Sequence, residues 1–278
     1  MISPISIVIL TKDEEIHIGR ALDSVTWSDN VVVVDSGSTD RTAEICRARA
    51  NVTFLEHKFL SLADQRQYAL DSGAVRHPWV LALDADEIVP AGLKEELIET
   101  ALRYQVGDPV AYDIAMRIYK WGKWLKHSSE YPVYWRRFFR RDCVHYVQRG
   151  HADTLDVNGP VGRTRNDLIH WDLKRLDKWV AKHNAYSTQE AKYALSDLLQ
   201  VPLSAVLSRD RLMRRRALKR LSRSMPLSGT IRFFHLYLFS LGFLDGLPGF
   251  CMCVLKSFQY TIVRFKMQEL RLRRDERV

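Results

Sequence analysis

The 278-residue sequence has only four cysteines, scattered as Cys46, Cys143, Cys251 and Cys253. Their spacing fits neither a zinc site nor a disulfide framework, and Cys251 and Cys253 lie inside an apolar run. The expected compartment is therefore a reducing, cytoplasmic one. No apolar run reaches the ~20 residues that a spanning helix needs. Met1-Ile2-Ser3-Pro4 runs straight into a strand-like segment, without the basic n-region of a secretory signal. Neither Gly-x-Gly-x-x-Gly nor a Walker motif follows that first segment, which argues against a Rossmann dinucleotide site and a P-loop. Internal repeats and low-complexity linkers are also missing.

What is present is ample for a large core: 46% hydrophobic residues, 27% charged ones and seven Trp, enough for one large domain or a domain with an appendage. The net charge of +9 is unevenly spread. Residues 209–278 hold 16 Lys and Arg against 5 Asp and Glu, a net +11, which leaves the remainder at −2. That distribution argues against a basic globular nucleic-acid binder, which stays a third reading because the C-terminal charge would suit it and the acidic remainder does not. A surface-docking C-terminal region fits the distribution.

Strand-like and helix-like segments alternate over the first hundred residues. Ile5–Leu10, Val31–Val34, Val52–Leu55 and Trp79–Leu83 are short, β-branched or apolar runs. Helical stretches lie between them: one opening at Thr11-Lys12-Asp13-Glu14-Glu15 with Thr11 as its cap, one from Asp40 to Ala50, and one from Leu62 to Ser72. That order predicts βαβ units and a mostly parallel sheet. A helix to Tyr104 and a strand from Ala111 to Ile118 follow Pro90.

The stretch that organises the rest is Val80-Leu81-Ala82-Leu83-Asp84-Ala85-Asp86-Glu87. An apolar run this short reads as a strand buried on both faces, and its carboxylates fall at the C-terminal end, where open α/β sheets place their ligand crevices. Asp35 ends the second strand on the same edge. Carboxylates this close repel unless hydrated, paired with bases or neutralised by a divalent ion, and their oxygens suit Mg²⁺ or Mn²⁺. A solvated acidic turn is the plainer alternative for Asp-x-Asp alone.

From Tyr119 to His127 and from Tyr131 to Arg141 the sequence turns aromatic and basic. Such surfaces suit sugar rings and phosphates, and equally suit a strand with aromatics packed inward. His151-Ala152-Asp153 is a candidate general-base pair, and His170-Trp171-Asp172 offers an imidazole to a metal or to a helix cap near Lys174. Helices are predicted from Asp177 to Leu199 and, strongly basic, from Val201 to Ser222. Two apolar stretches follow, Phe233–Leu241 and Phe250–Leu255. A basic helix beside short apolar ones fits a membrane-surface element or a helical hairpin packed on the rest of the chain.

Taken in order, Ile9-Leu10-Thr11-Lys12-Asp13-Glu14-Glu15, Val33-Val34-Asp35-Ser36-Gly37-Ser38-Thr39-Asp40, Gln67-Tyr68-Ala69-Leu70 and Leu83-Asp84-Ala85-Asp86-Glu87 resemble the family 2 glycosyltransferases, most of all the lipopolysaccharide-core β-glucosyltransferase group. Leu241-Gly242-Phe243-Leu244-Asp245-Gly246-Leu247-Pro248-Gly249 resembles the same group. The resemblance implies an α/β GT-A fold, the Rossmann-like fold of nucleotide-diphospho-sugar transferases, with a C-terminal helical extension. It implies a catalytic domain over 1–172, divided into a nucleotide-sugar half (1–105) and an acceptor half (106–172), and a basic helical region over 173–278. Asp35 would contact the nucleobase or ribose, Thr11 and Glu14 would line the same crevice, and Arg66 or Gln67 the diphosphate or base pocket. Asp84 and Asp86 would hold Mg²⁺ or Mn²⁺, with Asp86 the direct ligand and His170 completing the shell. Asp153, beside His151, would be the base; the family usually carries the longer Glu there, so the acceptor must sit closer. Arg136, Arg137 and His170 would assist acceptor or leaving group. The implied reaction is inverting transfer of a hexose from a UDP-glucose-like donor to a lipopolysaccharide-core or other lipid-linked saccharide, at the inner face of the cytoplasmic membrane. A nucleotidyltransferase and a membrane-bound scaffold without catalysis are the competing readings.

Overall fold

The computed structural model describes residues 3–149, 152–196, 201–225 and 227–275. The chain divides into two compact units, residues 1–126 with 131–173, and residues 127–130 with 174–278.

The first unit is built on a ten-stranded sheet. β1 (Ile5–Thr11), β2 (Val31–Asp35), β3 (Val52–Glu56) and β4 (Trp79–Asp84) are parallel and lie in the order β3-β2-β1-β4. The βαβ reading of the first hundred residues is what the structure contains. Side chains alternate between two cores as strand geometry requires. Ile5, Ile7, Ile9, Val31, Val33, Leu81 and Leu83 face α1 (Ile18–Ser24) and α4 (Ala91–Arg103), whereas Val8, Val32, Val34, Val80 and Ala82 face α3 (Leu62–Asp71). A short α2 (Thr42–Arg47) joins β2 to β3.

Beyond β4 the sheet becomes mixed. A two-residue β5 (Glu87–Ile88) follows the acidic strand end. β6 (Ala111–Lys120) and β8 (Val133–Arg140) are antiparallel partners, and β8 also pairs antiparallel with β4. β7 (Lys123–Trp124), β11 (Val161–Arg163) and β12 (Leu168–Trp171) all pair with β6, while β9 (Val144–Arg149) and β10 (Ala152–Val157) form a separate hairpin. β5 pairs antiparallel with β12, setting His170 opposite Glu87.

The second unit is helical. α5 (Leu176–Ser196) packs Ala191 and Ala194 on Val263 and Met267 of α8 (Gly246–Asp275). Lys266 Nζ reinforces this, donating to the Asn184 carbonyl and to Ser187 and Thr188 hydroxyls. The basic helix α6 (Arg211–Ser224) starts ten residues later than predicted, because Asp210 caps it by accepting from the Leu212 amide at 2.8 Å. α7 (Ser228–Phe234) continues through a single π turn, His235–Phe239.

Candidate active site

β1 feeds β2 and β3 on one side and is joined by β4 on the other, so the strand order reverses between β1 and β4. Crevices at the carboxyl ends of strands open at such a point. In register, Thr11 stands opposite Asp35, and Leu10 opposite Asp84. Three separate strands thus bring Thr11, Asp35 and Asp84 to one edge.

The rim on the β1–β2 side is two loops fastened together. Asp35 accepts from the Gly37 and Ser38 amides at 2.8 and 2.7 Å, a turn that needs the positive φ (82°) that glycine supplies at position 37. Across the loops, Asp13 N–H donates to Ser38 Oγ, Glu14 N–H to Thr42 Oγ1, and Glu15 N–H to Asp40. Thr11 is consequently the last residue of a strand and caps no helix; α1 starts only at Ile18. The Thr11 hydroxyl is buried and has no hydrogen-bond partner among the described residues. Glu14, expected to line the crevice, accepts from His17 Nδ1 at 2.6 Å, and His17 Nε2 accepts the Leu173 amide at 2.8 Å. Since a backbone N–H can only donate, His17 carries its proton on Nδ1 and Glu14 orients it.

On the β4 side the acidic run is not a solvated turn. Asp84 accepts from Arg66 of α3 at 2.7 Å and from Arg137 of β8 at 2.6 Å. Arg137 also donates to Glu87 at 2.7 Å, and the other Glu87 oxygen accepts the Asp84 amide at 2.8 Å. Burial alone would raise Asp84, but Arg137 and Arg66 outweigh it and hold the carboxyl down at about 2. Burial pushes Glu87 up to about 7; Arg137 opposes that rise, and Asp84 and Asp86 add to it. Asp86 faces His170 Nδ1 at 3.3 Å. Burial opposes charge on His170, yet Asp86, with Glu87 and Asp84 nearby, lifts it to about 9.

Each oxygen of Asp84, the expected partner of Asp86 on a metal, accepts from one guanidinium, that of Arg66 or of Arg137. Among the described residues no group of three or more His, Cys, Asp or Glu is gathered to hold a metal by itself. Asp86 and His170 do offer one carboxylate and one imidazole nitrogen, chemistry that suits Mn²⁺ or Mg²⁺ when phosphate oxygens and water complete the shell. Gln67 accepts the Tyr146 amide and donates to Asp71, tying α3 to β9. Arg136 is paired with Asp113 at 2.9 Å and is not part of the cluster. His151 and the Asp153 side chain lie outside the described residues; the Asp153 backbone stands opposite Gln148. Glu87 lies one residue past Asp-x-Asp, and that continuation of the acidic run is its only signal in the sequence.

The Asp86–His170 pair makes a first prediction. In metal-free protein the His170 ring should titrate near 9 by NMR, and Asp86→Asn should move it downward, since burial then loses its main opponent. Because the folded value is raised, the pair stabilises fully below about pH 6.5 and its contribution fades as pH rises through about 9. Identical titrations of the two proteins would show that the pair does not form.

The Glycosyl transferase family 2 profile matches residues 6–161. The lipopolysaccharide core biosynthesis glycosyltransferase LpsC of Rhizobium meliloti is 30% identical over 195 residues, 68% of this chain and 70% of that one. An uncharacterized glycosyltransferase of Rickettsia typhi is 27% identical over 198 residues, 68% and 67% of the two chains. Among solved structures, S. aureus TarS 1-349 in complex with UDP-GlcNAc superposes with a TM-score of 0.49 at 13% identity, over 96% of this chain and 91% of that one. The profile covers more than half of the sequence, and the α/β architecture is the GT-A one: the chain belongs to glycosyl transferase family 2 and is a glycosyltransferase.

Proposed function

We propose that the protein transfers a hexose, with inversion, from a nucleotide-diphosphate sugar of the UDP-glucose type to a lipopolysaccharide-core or other lipid-linked saccharide. The observation that carries this reading is the convergence of Arg66, Asp84, Arg137 and Glu87 with Asp86 and His170 at the strand-order reversal. The LpsC relative supports the acceptor class. Work on a lipid-linked acceptor goes with a peripheral position on the inner face of the cytoplasmic membrane, for which the basic C-terminal helices provide the charge.

In this mechanism the acceptor hydroxyl oxygen bonds to the anomeric carbon from the face opposite the diphosphate, and the bond from that carbon to the diphosphate oxygen breaks. The acceptor proton passes to a base, the role assigned to Asp153. Asp35 and Thr11 receive the nucleoside at the β1–β2 edge. Asp84 holds the Arg66 and Arg137 guanidiniums in place, and these stabilise the departing diphosphate. A Mg²⁺ or Mn²⁺ ion held by Asp86 and His170 would neutralise charge on the same diphosphate.

The test is calorimetric titration of UDP into the full-length protein with Mn²⁺ and with EDTA, for wild type and Asp86→Ala. Wild type should bind at least about tenfold more tightly with Mn²⁺, a difference of about 1.4 kcal/mol, and Asp86→Ala should lose that gain. Equal affinity in all four titrations would overturn the metal assignment. No UDP binding in any of them would overturn the donor.

A further inference from the structure

The helical unit contains a surface that glycosyl transfer does not explain. Between Phe233 and Leu255 there is no Lys, Arg or Glu, and the single Asp, Asp245, is buried. Its carboxylate accepts the His127 and Ser128 amides and the Ser128 hydroxyl, so it presents no charge outward. The same stretch has an inward face, with Leu236 and Cys253 fully buried. A helix in water would answer such a face with polar residues on the other side. Here the outward side is apolar too: Phe239 is 81% exposed and Leu247 73%, with Phe234, Leu238, Leu241 and Leu244 all open to solvent. Contiguous exposed apolar surface of this kind marks a binding face.

Geometry limits what can cover it. No single helix among the described residues is long and apolar enough to cross a membrane. The helix Ser228–Phe239 and the helix Gly242–Arg273 meet at a 73° bend, and the exposed apolar residues cluster around that bend. The bend is structural, since Leu241 is left-handed (φ 61°), and Gly242 lies so close to the Leu236 carbonyl that a Cβ there would stand 2.6 Å from it. The same unit carries α6, where Arg211, Arg214, Arg215 and Arg216 form no ion pair among the described residues and are interleaved with exposed Leu212 and Leu218.

We propose that the bend at 234–250 is a monotopic insertion element that enters the hydrocarbon of one leaflet, while α6 lies against anionic phospholipid head groups. Amphipathic interfacial helices divide labour in this way between apolar burial and head-group charge. This deepens the membrane part of the functional reading and is independent of the donor site. It also alters that part: apolar insertion, more than charge, holds the protein on the bilayer.

The experiment is sedimentation of the full-length protein with vesicles of phosphatidylethanolamine and phosphatidylglycerol, in low salt and in about 1 M NaCl, where the Debye length falls to ~3 Å. Wild type should stay bound in high salt. The double variant Phe239→Ser/Leu247→Ser should bind at least about tenfold less there and retain its UDP affinity. Charge removal by Arg214→Gln/Arg215→Gln should weaken binding in low salt only. As a second readout, the Trp fluorescence of Phe239→Trp should be quenched by brominated lipid chains beyond the level of the parent. Release of wild type by high salt would overturn the proposal, as would unchanged binding of the double variant. So would a dimer that the double substitution dissociates without altering vesicle binding, because the bend would then be an interface between copies.

Discussion

Arg137→Ala should be the most damaging single substitution in the catalytic unit, lowering stability by about 3–5 kcal/mol. Arg137 is buried, and it is the cation on Glu87, whose side chain is only 1% exposed. Asp84 would keep Arg66, but Glu87 would keep no guanidinium at hydrogen-bond distance. Removing one member of a buried pair costs far more than the pair contributes, because the remaining charge is stranded. The pH dependence separates this cause from general loss of packing. Glu87 already sits near 7 against an ordinary value of 4.5, so the folded state binds more protons than the unfolded one between those values. Stability attributable to this group therefore falls as pH rises from about 4.5 to 7. Without Arg137 the folded value climbs further, and the deficit of the variant should be largest at and above pH 7 and shrink toward pH 5. Glu87→Gln, which keeps an acceptor for the Asp84 amide and removes a charge already half neutralised, should be much milder. Hydrogen exchange at the β4 and β8 amides of both variants, at pH 5 and pH 8 in EDTA, measures this. A deficit independent of pH would assign the effect to lost packing around Arg137.

What could be read from the sequence, and what could not, divides along contact distance in the chain. The four parallel strands and the carboxylates after Leu83 were legible because each rests on a short apolar run and its terminus, and β-branched runs such as Val31–Val34 leave little choice of conformation. Thr11 misled for a physical reason. The amides of Asp13, Glu14 and Glu15 look like helix-start donors that need a cap, but Ser38, Thr42 and Asp40 satisfy them from a loop some 25 residues away. The role of Asp84 was hidden in the same way, since its partners lie 18 and 53 residues distant on α3 and β8. An Asp-x-Asp written on one strand says where charge accumulates, and only the fold says which guanidiniums arrive to meet it. Asp86 kept its expected imidazole neighbour because β5 and β12 pair antiparallel and place His170 beside it.

Asp245→Ala should be the corresponding lesion in the helical unit, costing about 2–4 kcal/mol. Its Oδ2 accepts three hydrogen bonds, from His127 N at 3.0 Å, Ser128 N at 2.8 Å and Ser128 Oγ at 2.8 Å, and the residue is 3% exposed. A hydrogen bond to a charged acceptor is worth about 1.5–3 kcal/mol, and a buried donor left without a partner costs about 1–3 kcal/mol. The loop 127–130 sits between β7 and β8 in the chain yet belongs to the helical unit, so these bonds determine where that segment is held. Lys256 Nζ adds a bond to the Ser128 carbonyl, and Arg232 pairs with Glu130. The glycines around Asp245 exist for this packing: a Cβ on Gly249 would stand 2.4 Å from both the Gly242 carbonyl oxygen and Asp245 Cβ, with no flexible chain end to yield. Gly249→Ala should accordingly cost about 1–3 kcal/mol as overpacking. Because two units share the chain, a global unfolding curve mixes their transitions, and the direct readout is hydrogen exchange at the His127 and Ser128 amides. Both should be protected in wild type and exchange at least about tenfold faster in Asp245→Ala, as the loss of about 1.4 kcal/mol or more requires. Asp245→Asn, which keeps an oxygen acceptor without the charge, should fall between them. Equal exchange in wild type and Asp245→Ala would mean that the loop is held by Lys256 and Arg232 alone, and that the buried carboxylate answers to some other demand of the bend.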